Sequence, residues 1–397
     1  MNGAESLLRS LIGSGADTCF TNPGTSEMHF VAALDHISGM RSVLALFEGV
    51  ATGAADGYWR MARKPACTLL HLGPGLANGL ANLHNAKKAG SGIVNIVGEH
   101  AETHIALDAP LKADIEGLAA PMSQWVHTSK TADDVGRDGA AAVTAARTAP
   151  GQIATLMLPS DTAWSDGGPV VEADAPPAPE TASSDRIEAA AQALAKPGTL
   201  LLIGNGALTA ENLDRAGRIS AKTGCKLLSE WSNPRLERGA GRVIVDRVPY
   251  PIDAALKVLE PYDRIVLVGA RAPIGFFAYP GKPAKLYRED TEIVELADRT
   301  MDLDAVLADL ESATGSASSA PANVAARSEG LRHPFGIDRQ ARSDQGQTGM
   351  RDRKDGKIVP EHVGLGHTVF LRPGAPGESR ARRGTEDRVP PAERAGP

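Results

Sequence analysis

The stretch Ser42-Val43-Leu44-Ala45-Leu46-Phe47-Glu48-Gly49-Val50-Ala51-Thr52-Gly53-Ala54-Ala55-Asp56-Gly57-Tyr58 changes character at a single residue. Up to Phe47 it is an unbroken apolar run, short enough for a buried strand. From Gly49 to Arg63 it is built of small residues that suit a helix packed closely on a sheet. Glu48 stands at the switch, where the strand ends and the helix begins. The same alternation repeats outward in both directions. Upstream, Leu7, Leu8, Leu11 and Ile12 share one helical face, and Gly13 and Gly15 stop that helix. Ala16 to Thr21 then reads as a strand ended by Asn22-Pro23-Gly24. Thr25 or Ser26 is suited to cap the next helix, whose apolar face holds Met28, Val31 and Leu34. Downstream, Ala66 to Leu72 reads as a strand closed by Gly73-Pro74-Gly75, Leu76 to Ala89 as a helix, and Ile93 to Val97 as a further strand. Strict alternation with short loops predicts an α/β domain with a doubly wound parallel sheet. Ligands of such sheets bind beyond the carboxyl ends of the strands. Asn22, Glu48, Gly73 and Gly98 all fall at ends of that kind, so these motifs share one rim.

Residues 1–164 make up this first domain. Residues 165–185 are rich in Pro, Ala, Gly and acidic residues and read as a linker. A second, Rossmann-like α/β domain is expected over 186–312. It has helices at Arg186 to Ala195, Ala210 to Thr223, Ile252 to Leu259 and Leu303 to Leu310, and strands at Thr199 to Ile203, Cys225 to Leu228 and Arg264 to Val268. Ser316 to Ala326 is a low-complexity Ser/Ala stretch. From Arg327 onward no apolar period is sustained and arginines are interspersed with Gly, Pro and Gln. Residues 313–397 therefore read as a disordered tail.

The totals bound the function classes. Among 397 residues, 42% are hydrophobic and 4% aromatic, and the formal charge is -6. This balance gives no global reason to expect nucleic acid or a charged membrane surface as a partner. Cys19, Cys67 and Cys225 are too scattered for a disulfide framework or a zinc site and read as buried thiols. No apolar run reaches the roughly 20 residues of a membrane span. The N-terminus enters a helix without a leader pattern, so a cytoplasmic protein is expected.

Three segments in order carry a resemblance. They are Asn22-Pro23-Gly24-Thr25-Ser26-Glu27, the Glu48 to Tyr58 segment quoted above, and His71-Leu72-Gly73-Pro74-Gly75-Leu76-Ala77-Asn78-Gly79-Leu80-Ala81-Asn82-Leu83. Together they resemble the pyrimidine-binding domain of thiamine-diphosphate enzymes, in the branch of the acetolactate synthase large subunit and benzoylformate decarboxylase. Ile93-Val94-Asn95-Ile96-Val97-Gly98-Glu99-His100 extends the likeness, and the second domain is similar to the family's central domain. The resemblance implies thiamine diphosphate with Mg²⁺ as cofactor, a 2-keto acid as substrate, decarboxylation with or without carboligation, and a homodimer or homotetramer. It makes Glu48 the catalytic residue, hydrogen-bonded to the pyrimidine ring so that a stabilised ylid can form on the thiazolium. Such a glutamate shares a proton with the ring, and an apolar surrounding after Val43–Phe47 suits that task. Without the flanking motifs, Glu48 would read equally well as a helix-capping or surface carboxylate. Pro23, Gly24, Gly73 and Asn78 are placed beside the cofactor, and His71 is a candidate for proton transfer to substrate. His84 is expected on a helix surface. Gly204-Asn205-Gly206 follows a strand but lacks the third glycine of a dinucleotide fingerprint, so FAD is not expected.

The chain departs from the family in two respects. It contains no Gly-Asp-Gly segment of the kind that, with a later Asn, supplies Mg²⁺ ligands, and no metal-ligating residue is identified. The diphosphate-binding domain is therefore expected to be missing, and a frameshift around residues 313–330 is expected as its cause. Glu99-His100 stands where acetolactate synthases often carry Gly-Gln, and Gly90-Ser91-Gly92 where relatives tend to have a proline. These differences leave the keto acid open, and leave ligation open against simple decarboxylation. An enzyme, a non-catalytic remnant inactive alone, and a ligand-binding α/β protein without thiamine remain as the competing readings.

Overall fold

The computed structural model describes residues 1–326. The first domain runs α1 (Gly3–Gly13), β1 (Thr18–Asn22), α2 (Met28–His36), β2 (Arg41–Leu44), α3 (Glu48–Ala62), β3 (Ala66–Leu70), α4 (Leu72–Ala89) and β4 (Ile93–Glu99). It continues with α5 (Glu102–Ile105), α6 (Ile115–Ala119), β5 (Trp125–Thr128), α7 (Val135–Arg147), β6 (Ile153–Pro159) and α8 (Ser160–Trp164). Its six strands are all parallel, in the order β2-β1-β3-β4-β6-β5. The chain leaves β1 to one side for β2 and returns on the other for β3. The topological switch point therefore lies between β1 and β3, which is where an open parallel sheet leaves a crevice.

Side chains alternate along the central strands. On β4, Val94 and Ile96 join the core under α1, α2 and α7, whereas Ile93 and Val97 join the core under α3 and α4. Between them the sheet carries a polar rung. Thr68 donates to Asn95 Oδ1 (2.7 Å), Asn95 donates to Thr155 Oγ1 (3.0 Å), and Ser123 lies 2.7 Å from the same hydroxyl. These groups are buried, and the mutual bonds offset a desolvation cost that single polar groups would bear alone.

The second domain comprises α9 (Ser184–Leu194), β7 (Thr199–Ile203), α10 (Ala210–Thr223), β8 (Lys226–Ser229), β9 (Asp246–Arg247), α11 (Ile252–Leu259), β10 (Arg264–Val268), β11 (Glu292–Ala297) and α12 (Leu303–Ala313). Its sheet is again all parallel, in the order β11-β10-β7-β8-β9. Arg299 joins the two domains, donating to the carbonyls of Lys88 (2.8 Å) and Lys87 (3.1 Å) at the end of α4. No helix among the described residues is long and apolar enough to cross a membrane. All three cysteines are buried free thiols.

Several expectations are corrected. The run before Glu48 is not a buried strand. β2 is an edge strand of four residues, and Leu44, Leu46 and Phe47 are 69%, 92% and 49% exposed. An apolar run cannot by itself report its neighbours, and this one has β1 on one side only. Of the expected apolar face of α2, Met28 is exposed, whereas Val31 and Leu34 pack half-buried against the core beside the buried Phe30 and Ala33; a short 3-10 turn at Thr25–Glu27 precedes the helix. Neither Thr25 nor Ser26 caps it. Gly73-Pro74-Gly75 is not a strand-closing turn but the first turn of α4, where Pro is tolerated because first-turn N–H groups lack intrahelical partners. The Ser/Ala stretch from Ser316 does not leave the fold within the described residues. Ser316 is fully buried, and Val324 bridges Val243 in antiparallel fashion. The Arg-rich remainder of the expected tail, and residues 327–330 of the expected frameshift region, lie outside the described residues.

Candidate active site

The rim at the β1–β3 switch point gathers the residues singled out above. Asn22 ends β1, and its amide donates to the Ala45 carbonyl at 2.8 Å, while Ala45 N–H donates to Thr21 O at 2.8 Å. The loop between β2 and α3 is thereby tied to the neighbouring strand. Leu46 and Phe47 turn outward and Glu48 turns inward as the first residue of α3.

The Glu48 carboxylate is buried, 8% exposed. Its Oε2 accepts from Asn78 Nδ2 at 3.0 Å. Its Oε1 faces Gly75, 3.2 Å from where a Cβ on that residue would stand. Helices α3 and α4 approach closely enough for this because their facing positions are small. Thr52 Oγ1 donates to the Gly79 carbonyl (3.1 Å), Asn82 Nδ2 donates to the Gly49 carbonyl (2.6 Å), and a Cβ on Gly79 would lie only 2.9 Å from Thr52 Cγ2. The water-poor setting expected for Glu48 is real, but α4 supplies it and the preceding apolar run does not.

His71 ends the β3 crossover, and its Nδ1 lies 2.8 Å from Glu27 Oε2. The same oxygen accepts the Gly24 N–H at 2.7 Å. Gly24 is required here, since a methyl group at that position would overlap the His71 ring. Glu27 was quoted within its motif but not assigned a role. Its side chain is fully buried, and Oε1 has no hydrogen-bond partner among the described residues. That oxygen lies against Gly98 of β4, where any Cβ would collide with it. A signal for Glu27 existed in the spacing of Gly24-x-x-Glu27, an acid placed three residues on to reach back to the N–H that opens a helix.

Six positions thus meet on one rim: Gly24, Glu27, Glu48, His71, Gly75 and Asn78. Pro23 lies in the same loop as Gly24. Gly73 is set slightly apart, underneath the Ala113 side chain. His84 is exposed on α4. His100 follows β4 and packs against His104, ring centroids 5.4 Å apart and planes tilted by 48°. No group of three or more metal-ligating side chains occurs among the described residues. In the second domain, Asn205 Nδ2 donates to the Gly269 carbonyl at 2.6 Å across the ends of β7 and β10, and the Glu230 carboxylate leans over Gly204.

Residues 1–120 match the family described as thiamine pyrophosphate enzyme, N-terminal TPP binding domain. Residues of this chain are 48% identical over 298 positions to the protein named "Putative acetolactate synthase large subunit IlvX" of Mycobacterium tuberculosis (strain ATCC 25618 / H37Rv), a match covering 75% of this chain. The chain spans 58% of the length of that relative. Benzoylformate decarboxylase of Pseudomonas aeruginosa is 33% identical over 156 residues, covering 39% of this chain and 29% of that protein. The solved Rhodococcus jostii RHA1 thiamine diphosphate-dependent 4-hydroxybenzoylformate decarboxylase superposes with a TM-score of 0.66 at 19% identity, covering 85% of this chain and 67% of that one, a likeness of fold.

Proposed function

Because residues 1–120 belong to the N-terminal TPP binding domain family of the thiamine pyrophosphate enzymes, we propose that this rim holds the pyrimidine end of thiamine diphosphate and serves the decarboxylation of a 2-keto acid, with ligation to a second carbonyl compound. The carrying observation is the buried Glu48 carboxylate, with one oxygen fixed by Asn78 and the other facing a glycine. A flat ring can approach such a carboxylate where a side chain at residue 75 would stand in the way. Thiamine diphosphate, once bound, would supply a carbon nucleophile, formed by loss of its thiazolium proton, and a sink for the electron pair released on decarboxylation. Glu48 would hydrogen-bond a nitrogen of the pyrimidine ring, with Asn78 keeping the carboxylate from rotating. Glu27 fixes the orientation of His71, which gives a proton to the substrate side or takes one from it. Residue by residue, the donors and the bare backbone around Glu48 fit the pyrimidine. The diphosphate and its Mg²⁺ would need ligands from elsewhere, since the 397 residues contain no Gly-Asp-Gly. The chain by itself is accordingly proposed to be inactive.

The exposed Leu44, Leu46, Phe47 and Val50 beside Glu48 support a second copy at this face, as in a homodimer. FAD is left out of the proposal, because Asn205 and Glu230 occupy the crevice between β7 and β10. A second reading, simple decarboxylation of a benzoylformate-type acid, is favoured by the His71–Glu27 pair, an acid-base group suited to protonating a released aldehyde precursor.

The test is calorimetric titration of the chain with thiamine diphosphate and Mg²⁺, beside turnover of pyruvate and of benzoylformate. Saturable binding that weakens at least tenfold in Glu48→Gln is expected, with turnover only when an intact relative is supplied as partner. Absence of saturable binding, or binding indifferent to Glu48→Gln, overturns the reading.

A further inference from the structure

Helix α3 opens with Glu48 at the rim and runs to Ala62, so its far end lies roughly 20 Å away. That end borders a cavity of about 290 Å³ between the two domains. The volume stands at the lower bound of small-molecule sites, about 300–1,000 Å³. Four arginines line it: Arg60 and Arg63 from the end of α3, and Arg235 and Arg299 from the second domain. Asp302 and Asp304 are the acids of the same lining.

Contacts within the protein account for only part of this positive charge. Arg60 pairs with Asp56 at 2.6 Å and Arg235 with Glu237 at 3.5 Å, whereas Arg63 and Arg299 pair with no carboxylate among the described residues. Arg299 gives two of its five N–H donors to the Lys88 and Lys87 carbonyls at the end of α4. A helix C-terminus carries only about half a negative charge, so a net positive charge is left there. Burial, followed by the positive charge of Arg271, holds the half-buried Arg299 guanidinium below its ordinary value, and Glu230 and Asp298 offset this only in part. An anion in the cleft would relieve that cost.

The two acids are turned to other tasks by one oxygen each. Asp302 accepts the Ala305 N–H at 3.0 Å where α12 begins, and Asp304 accepts from Asn212 Nδ2 at 2.5 Å. Their second carboxylate oxygens have no hydrogen-bond donor among the described residues. The cleft thus offers cationic donors and anionic acceptors together.

We propose that this cleft binds a compact phosphate monoester bearing hydroxyl groups, with Arg63 and Arg299 taking the phosphate and Asp302 and Asp304 accepting from the hydroxyls. A guanidinium presents a planar fork of donors that matches phosphate oxygens. Carboxylates beside it repel an anion that brings no hydroxyl donors, which favours the monoester over inorganic phosphate. The cleft is separate from the rim at Glu48, and its ligand is independent of thiamine diphosphate.

The experiment is calorimetric titration of the full chain, without cofactor, with ribose 5-phosphate, ribose, inorganic phosphate and AMP. Because Arg299 also joins the domains, the exposed Arg63 is the cation replaced, in Arg63→Gln, beside Asp304→Asn. Wild type is expected to bind ribose 5-phosphate saturably, at least tenfold tighter than inorganic phosphate or ribose. Arg63→Gln should weaken this binding at least tenfold, and Asp304→Asn should bring ribose 5-phosphate close to inorganic phosphate. AMP separates the sources: tighter binding of AMP marks a nucleotide and weaker binding a free sugar phosphate, and either order sustains the site. Equal binding of ribose 5-phosphate and inorganic phosphate by the wild type overturns the proposal. So does binding indifferent to Arg63→Gln, a preference unchanged in Asp304→Asn, or no saturable binding of any phosphate.

Discussion

At Gly98 a missing side chain decides what Glu27 can do. The Glu27 carboxylate fills the space a Cβ would take, and from there its other oxygen reaches His71 at 2.8 Å. Gly98→Ala should therefore evict Glu27 and leave the His71 ring free to turn, although neither functional side chain has been altered. The expected outcome is that the imidazole proton resonances of His71 in Gly98→Ala match those in Glu27→Gln and differ from the wild type. A wild-type His71 spectrum in Gly98→Ala would show that Glu27 does not set the ring. The position of Glu48 was legible because a strand-to-helix switch places a residue at a known kind of rim. The contacts of Glu27 were not, because its partners His71 and Gly98 stand 44 and 71 residues further along the chain.

Helices α3 and α4 bring Glu48 and Asn78 together through a seam of small residues. Small residues in the sequence announced a close-packed helix, but not which helix it would meet. The seam is tightest at Gly79, where a Cβ would come within 2.9 Å of Thr52 Cγ2 and disturb the Thr52 bond to the Gly79 carbonyl. Gly79→Val is expected to destabilise the protein by about 1–3 kcal/mol through overpacking, and to weaken thiamine diphosphate binding as Asn78 moves from Glu48. Gly57, also in α3, has open space around its Cβ direction. Gly57→Ala should stabilise by about 0.5–1 kcal/mol. Urea denaturation of the two variants checks the contrast, and equal shifts of the same sign would refute the seam as the constraint. Element boundaries shifted for a related reason: Gly73-Pro74-Gly75 reads as a turn in isolation, yet Pro and Gly are compatible with a first helical turn when the helix continues beyond them.

Across the whole first domain, stability at alkaline pH should be governed in part by two thiols. Cys19 and Cys67 are paired in register on β1 and β3, both fully buried. Burial pushes the Cys67 thiol up to about 12, with the negative charge of Asp17 adding to the effect, and burial raises Cys19 well above the ordinary value of 9.0. The folded state thus keeps protons that the unfolded state gives up above about pH 9. The stabilisation is complete below the unfolded value and is lost as pH rises towards 12, at roughly 1.4 kcal/mol per pH unit for each thiol. Urea denaturation between pH 8 and pH 11 should show this loss, and it should be smaller in Cys19→Ala/Cys67→Ala. An unchanged slope in the double variant would assign the loss to other groups.

The amino-acid sequence by itself determined the alternation of strands and helices, the two parallel-sheet domains and the order of the three motifs. These are local properties, set by apolar period, breakers and residue size within short windows. Tertiary structure alone decided that the run before Glu48 lies on an exposed edge, that α4 is what shields the Glu48 carboxylate, and that Glu27 sits between His71 and Gly98. It also decided that Ala113 lies over Gly73. The physical reason is the same in each case: burial and hydrogen-bond partnership depend on which elements become neighbours at the switch point, and that information is spread over segments far apart in the chain.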